Sequence, residues 1–295
     1  MTIVINGKEI AQNLKNNIKK QLDEIKIKIG KVPGLAVVQV GNDAASSVYV
    51  KAKSKSAKEV GIEIIDHHLP EETTQEKLLS LVKSLNIENN VSGILVQLPL
   101  PKHINEQIIL DSINPEKDAD GFHPLNVGKL SIADFNDENL LIPCTPYGCL
   151  IMIKNLGVKL SGKNAVVIGR SNIVGKPMAQ LLLKESCTVT IVHSKTQNIE
   201  DICSKADIIV AAAGKPKMVK SNWIKKDAIV IDVGINRIDK KIEGSSKKIL
   251  VGDVDFEHAK KKASVITPVP GGVGPMTIAC LLRNTAIAFK NKELK

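Results

Sequence analysis

The chain has 295 residues, 43% of them apolar, enough for two α/β domains or one large one with a buried core. Its formal charge of +10 rests on scattered lysines, with arginine only at 170, 237 and 283 and aromatics at 2%; this excludes the clustered basic stripe of a nucleic-acid partner and suits anionic small molecules instead. No run approaches 18 uninterrupted apolar residues, no basic-then-apolar leader opens the chain, and the five cysteines form no CxxC or Cys/His metal spacing; the expectation is a cytoplasmic protein with no membrane partner and no metal.

In chain order, the patterning predicts a helix over 8–29, a strand over 35–40, and a helix over 44–60 that Asp43 can cap and Gly61 can end. A strand over 62–69, a helix over 74–85 and a strand over 93–97 follow. Strand and helix alternate, which implies a largely parallel sheet. Residues 114–143 read as one long irregular segment, unusual in a compact domain unless functional. After a helix over 147–156, a second series begins, with strands at 165–168, 188–192, 208–212 and 228–233. Residues 240–248 read as a polar, lysine-rich hairpin or loop. The fold class is α/β in two lobes, an N-terminal α/β substrate lobe and a Rossmann-like lobe, with a cleft between them.

The second series carries the nucleotide signal. Ala165-Val166-Val167-Ile168 is an apolar strand, Gly169 follows it, and Gly175 opens a helix through Met178, Leu181 and Leu182. Strand, glycine turn and helix place a pyrophosphate at a helix N-terminus. Ser171 stands where G-x-G-x-x-G has its second glycine, so a plain βα turn is the alternative. The next strand ends in His193-Ser194-Lys195, without the carboxylate that binds a ribose 2′-hydroxyl. With Arg170 in the first turn, this favours a 2′-phosphate and hence NADP, unless Ser194 and Lys195 form only an exposed turn. Ala212-Ala213-Gly214-Lys215-Pro216 and Asp232-Val233-Gly234-Ile235-Asn236 are small-residue loops suited to the nicotinamide end.

In the first lobe, Tyr49 and Lys53 lie four apart on one helix face. A lysine beside a phenol can relay protons; the alternative is a solvated lysine face with Tyr49 as an anchor. The same Tyr-x-x-x-Lys occurs in short-chain dehydrogenases, but there it lies downstream of the nucleotide turn, and here it lies upstream. Gln97 sits at the carboxyl end of a buried strand, where open α/β sheets place ligand groups, or else is a satisfied core amide. Asp118 reads as a turn residue before Gly121, and Asp120 as either turn or ligand. His123 reads as a loop histidine.

Five blocks resemble, in this order, the bifunctional methylenetetrahydrofolate dehydrogenase/cyclohydrolase family. They are Tyr49-Val50-Lys51-Ala52-Lys53, Val96-Gln97-Leu98-Pro99-Leu100-Pro101, Asp118-Ala119-Asp120-Gly121-Phe122, Gly169 to Gly175, and Thr267-Pro268-Val269-Pro270-Gly271-Gly272-Val273-Gly274-Pro275-Met276-Thr277. The resemblance covers nearly the whole chain. It implies NADP-dependent oxidation of 5,10-methylenetetrahydrofolate to 5,10-methenyltetrahydrofolate, then hydrolysis to 10-formyltetrahydrofolate. Its implied catalytic set is Lys53, Tyr49 as the stacking aromatic, Gln97 as partner of the lysine, and Asp120 as the pterin-pairing carboxylate. Further folate contacts are implied at Val96, Leu98, Pro270, Gly271, Gly272, Val273 and Gly274. NADP contacts are implied at Gly169, Arg170, Ser171, Ile173, Ser194, Gly214 and the backbone of Ile235. The last helix, about 275–290, is expected to return to the first lobe. That gives a folate-binding domain of 1–144 plus 275–295 and an NADP-binding domain of 145–274. The implied partners are tetrahydrofolate derivatives, including polyglutamylated forms, and a second copy in a homodimer. Two rivals remain at this point: a shikimate-dehydrogenase-like oxidoreductase and a non-catalytic folate- or nucleotide-binding module.

Overall fold

The computed structural model describes residues 2–41, 44–132, 139–242 and 245–294, with the side chains of 44–49, 240–242 and 245–247 outside that description. Strand β1 (Ile3–Val4) leads into helix α1 (Gly7–Ile29), β2 (Gly34–Val40), α2 (Ala44–Glu59), β3 (Glu63–Leu69), α3 (Gln75–Ile87) and β4 (Gly93–Val96). Helices α4 (Glu106–Ser112), α5 (Pro124–Ile132) and α6 (Cys144–Lys154) follow. Then come β5 (Asn164–Ile168), α7 (Gly175–Lys184), β6 (Thr188–Val192), α8 (Ile199–Cys203), β7 (Ile208–Ala211) and β8 (Ile229–Asp232). The chain closes with β9 (Asn236–Ile242), β10 (Ser245–Val251), α9 (Phe256–Ala259), β11 (Val265–Ile266) and α10 (Val273–Glu293).

Two compact units emerge. One comprises Gln12–Cys144 and Ile278–Lys295, the other Met1–Ala11 and Thr145–Thr277. The first unit holds a parallel sheet in the order β3-β2-β4. Every residue of β2 is buried, as a central strand covered on both faces requires. Leu78, Val82 and Leu85 recur at i, i+4 and i+7 on α3 and are wholly buried against this sheet's core, so one stripe of the helix does the packing. The Thr74 side chain caps α3 by accepting a hydrogen bond from the Lys77 amide at 3.3 Å. The span 114–143 is less irregular than its sequence reads, because it contains α5. Asp43, the expected cap of α2, lies outside the described residues.

The second unit is a six-stranded parallel sheet in the order β1-β11-β8-β7-β5-β6. From β5 the chain steps outward to β6 and then returns to β7 on the other side of β5. That reversal is the switch point at which open α/β sheets form a ligand crevice beyond their strands' carboxyl ends. Strands β9 and β10 pair antiparallel, so residues 240–242 and 245–248 of the polar stretch lie in paired strands. Residues 2–11 join this second unit, not the N-terminal lobe expected for them. Ile3 and Val4 pair with Val265 and Ile266 at the sheet edge. Two-residue strands carry no periodicity, so neither β1 nor β11 shows in the patterning. No helix among the described residues is long and apolar enough to cross a membrane.

Candidate functional site

In the first unit, Lys53 on α2 is 7% exposed, and its Nζ donates to Gln97 Oε1 at 3.0 Å. Gln97 in turn donates through Nε2 to the Leu98 carbonyl at 2.6 Å, which orients the amide with its oxygen toward the amine. Gln97 holds this place because its own backbone amide still bonds Val38 O at 2.8 Å, one residue beyond β4. Leu98 packs against the sheet core. Val96 is 1% exposed within that core, so any contact it makes with a ligand is through its backbone. Tyr49 falls on α2 four positions before Lys53; its side chain lies outside the described part of the structure.

Asp120 joins this group. It is partly buried, and burial lifts its carboxyl to about 6, with Lys53 pulling the value down and Asp118 pushing it up. Asp118 is the turn residue its sequence suggested, its carbonyl accepting from the Gly121 amide at 3.2 Å, but a buried one. It is 2% exposed and accepts hydrogen bonds from the amides of Gly121, Phe122 and His123 at 3.0, 3.1 and 2.8 Å, and from Asn126 Nδ2 at 2.9 Å. Burial raises its pKa, and these four donors hold the rise in check. A second clamp comes from α10, where the buried Asn284 donates to Ala119 O at 3.0 Å and Ile142 O at 2.8 Å. Asn126 and Asn284 were not found from sequence; the available signal was a lone amide inside an otherwise apolar helix face. His123 Nδ1 accepts from the Leu125 amide at 3.1 Å, a local turn bond. Burial first, and the Asp120 charge second, push the neighbouring Cys144 thiol well above its usual range, which keeps it from acting as a nucleophile.

In the second unit, Gly169 adopts φ +123°, its amide bonds Val192 O at 2.8 Å, and a Cβ there would strike the Ala212 carbonyl. The turns after β5 and β7 therefore touch only because this residue is glycine. The missing second glycine has a physical account. Ser171 Oγ accepts from the amides of Val174 and Gly175 at 3.2 and 3.3 Å, the latter the first residue of α7, so its hydroxyl closes the turn that enters the helix. Arg170, Ser194 and Lys195 are all exposed on loops leaving the adjacent strands β5 and β6. Gly214 and the exposed Ile235 follow β7 and β8 at the same edge. Ile173 is a second exposed apolar side chain there. A tight glycine cradle, a helix N-terminus, cations and apolar surfaces along one sheet edge fit a dinucleotide with an anionic 2′ group. The proline-glycine loop leaves β11, also at this edge, with Pro270 exposed and Gly272 and Val273 buried. Asp253 is the residue here that sequence reasoning missed: wholly buried, it accepts from the amides of Ala213 and Gly214.

The sequence profile of the tetrahydrofolate dehydrogenase/cyclohydrolase catalytic domain matches residues 5–120, and that of the same enzymes' NAD(P)-binding domain matches residues 143–293. The chain belongs to this family. The bifunctional protein FolD of Rhodospirillum rubrum is 54% identical over 97% of this chain and 97% of its own. The crystal structure of the bifunctional FolD dehydrogenase/cyclohydrolase of Campylobacter jejuni matches at TM-score 0.92 and 46% identity, covering 99% of this chain and 100% of that one. The Trypanosoma brucei dehydrogenase-cyclohydrolase, complexed with NADP cofactor and inhibitor, matches at TM-score 0.92 and 42% identity over 98% of each chain. Membership of the dehydrogenase/cyclohydrolase family sets aside the shikimate-dehydrogenase-like rival.

Two predictions follow from the Asp118–Asp120 loop. Asp118→Ala leaves the amides of Phe122 and His123 without an acceptor and takes one of two acceptors from the Gly121 amide and from Asn126 Nδ2, and should lower unfolding stability by roughly 2–4 kcal/mol, measured by denaturant titration. For Asp120 the folded pKa of about 6 lies above the ordinary carboxylate value of 3.8. Its contribution to stability is thus complete below about pH 4 and is lost as pH rises through 6. Asp120→Asn escapes that loss, so it should melt above the wild type at pH 8, with the gap closing toward pH 4.

Proposed function

We propose that this chain oxidises 5,10-methylenetetrahydrofolate with NADP and hydrolyses the methenyl product to 10-formyltetrahydrofolate, with Asp120 holding the folate for both reactions and Lys53 and Gln97 serving the hydrolysis. The observation that carries the reading is the Lys53–Gln97 hydrogen bond at 3.0 Å beside a carboxyl raised to about 6, within a member of this family.

As a carboxylate, Asp120 can accept both the N3–H and the 2-amino hydrogens of a pterin, a bidentate match. Tyr49 is assigned the stacking contact, Val96 and Leu98 backbone contacts, and the Pro270–Gly274 loop (Pro270, Gly271, Gly272, Val273, Gly274) further folate contacts. In the oxidation, hydride loss leaves an amidinium cation stabilised across N5 and N10, so no acid or base is needed and positioning carries the step. NADP, when bound, supplies the nicotinamide carbon that accepts the hydride. Arg170 and Ser194 would hold its 2′-phosphate, Gly169, Ser171 and Ile173 its diphosphate side, and Gly214 and the Ile235 backbone its nicotinamide side.

Hydrolysis makes a different demand. Water adds to the methenyl carbon and loses a proton; N5 then gains a proton, the C–N5 bond breaks, and the hydroxyl left on the carbon gives up its proton to solvent as the formyl C=O forms, so one proton is released overall. Lys53 is assigned the transfer of the first proton to N5, while Gln97 fixes its Nζ and polarises the water. By this reading the unit of 12–144 plus 278–295 takes the folate and the other unit takes NADP. A homodimer joined through the NADP-binding units and a cytoplasmic location complete it; five buried cysteines, none in a disulfide, agree with a reducing compartment.

An absorbance assay with methylenetetrahydrofolate and either NADP or NAD should show NADP reduction, passage through the methenyl chromophore, and its decay. No NADP reduction would leave the non-catalytic binding module as the better account. Arg170→Ala should raise the KM for NADP by roughly 10–100-fold, the value of a charge-assisted phosphate contact, and leave the NAD KM nearly unchanged. Equal loss with both cofactors would remove Arg170 from the 2′-phosphate. Lys53→Met keeps most of the apolar stem and removes the amine. It should cut hydrolysis by about 10²–10⁴-fold while part of the dehydrogenase survives, so methenyltetrahydrofolate accumulates. A variant that lost the dehydrogenase and kept full hydrolysis would refute the division.

A further inference from the structure

Asp232 and Asp253 form a buried carboxylate pair to which neither reaction assigns a role. Asp253 is 0% exposed. Its Oδ2 accepts from the amides of Ala213 at 2.6 Å and Gly214 at 2.8 Å, and its Oδ1 from Asn236 Nδ2 at 2.9 Å. Asp232, the last residue of β8, accepts through Oδ1 from the amides of Gly234 and Asp253 at 3.0 and 2.8 Å, and through Oδ2 from Val254 at 2.9 Å. Its own amide donates to the buried Thr267 hydroxyl at 2.7 Å. Burial raises the Asp232 carboxyl to about 7, against its backbone donors and with Asp253 adding to the rise.

The surrounding chain makes room for the pair. A Cβ at Gly234 would land on the Asp253 carboxylate, and one at Gly252 on that of Asp232. These bonds tie the segment after β10 to the loops after β7 and β8. Apolar side chains of like volume would cost less to bury than two carboxylates, so stability alone does not account for them. What they do achieve is order in residues 213–214 and 234–236, which hold two positions, Gly214 and Ile235, assigned above to the nicotinamide side.

We propose that Asp253 is a positioning residue for hydride transfer, holding the loops after β7 and β8 in the arrangement that receives the nicotinamide end of NADP, and thus controls the dehydrogenase and not the cyclohydrolase. This role rests on the functional reading above. Hydrolysis of methenyltetrahydrofolate needs no NADP, so the second activity of the same chain serves as an internal control.

The test uses the full-length chain as wild type, Asp253→Asn and Asn236→Ala. The asparagine keeps the shape of residue 253 but turns one acceptor into a donor facing the Ala213–Gly214 amides or Asn236. For Asp253→Asn, dehydrogenase kcat/KM for NADP should fall about 10–100-fold, NADP affinity by calorimetry should fall with it, and cyclohydrolase should stay within about twofold. Hydrogen exchange at the amides of Ala213 and Gly214 should quicken. Asn236→Ala removes one bond and should show a smaller loss in the same direction, which decides the matter if Asp253→Asn does not fold. Equal loss of both activities reduces Asp253 to general structural support and overturns the proposal. So does faster exchange with an undiminished dehydrogenase. A wild-type chain that reduced no NADP with methylenetetrahydrofolate would instead overturn the functional reading, and this role with it.

Discussion

A carboxylate taken out of water must recover several hydrogen-bond donors or give up its charge, and this chain meets that demand with backbone amides. Asp118 and Asp232 solve the problem alike. Each stands where a parallel strand or bridge ends, Asp118 opposite Ile94 and Asp232 at the close of β8. Asp118 gathers three amides of the loop that follows it, and Asp232 one amide of its own following loop and two from the segment after β10. The loop path is then set by where the carboxyl oxygens are, not by apolar packing. Loops otherwise run free over the surface; here buried charge fixes the ones that carry the candidate site.

This has a cost in stability that falls on the residues doing chemistry. Asp120 lies one residue beyond a wholly buried alanine and beside a lysine that is itself largely buried. Its raised pKa records how poorly protein replaces water around it. The Lys53 charge offsets part of that penalty, and Gln97 directs the amine. The three side chains thus constrain each other, as expected of a site that trades stability for reactivity.

The strand–helix alternation was legible because buried parallel strands read as short apolar runs, and β5 through β8 fell within a residue or two of expectation. The nucleotide turn was legible through Gly169 and Gly175, although only the structure explains Ser171, whose hydroxyl closes the turn onto the amides of Val174 and Gly175. Lys53, Gln97 and Asp120 were chosen from sequence with the help of family resemblance, and they come together in one unit. What stayed hidden among the side chains has two causes. Asp118 and Asn126 close a short-range turn, and nothing in the local pattern marks that turn as buried. Asn284 and Asp253 act through bonds to backbone far away in sequence, up to 165 positions for Asn284 and Ala119. Local pattern carries no trace of such partners. The strands β1 and β11 were hidden for the opposite reason, being too short to have a pattern at all.

The pairing of Ile3–Val4 with Val265–Ile266 bears on how the molecule can be dissected. The outermost strand of the nucleotide sheet is supplied by the first residues of the chain, through amide bonds from Ile3 to Ser264 O and from Ile5 to Ile266 O. A gene fragment beginning at Thr145 would encode five of the six strands and leave the flank of β11 bare, an open edge that invites strand addition from another molecule. An expression fragment meant to stand for the nucleotide unit therefore has to carry the N-terminal segment grafted to it, and a bulky tag fused directly before Ile3 would press on that same edge.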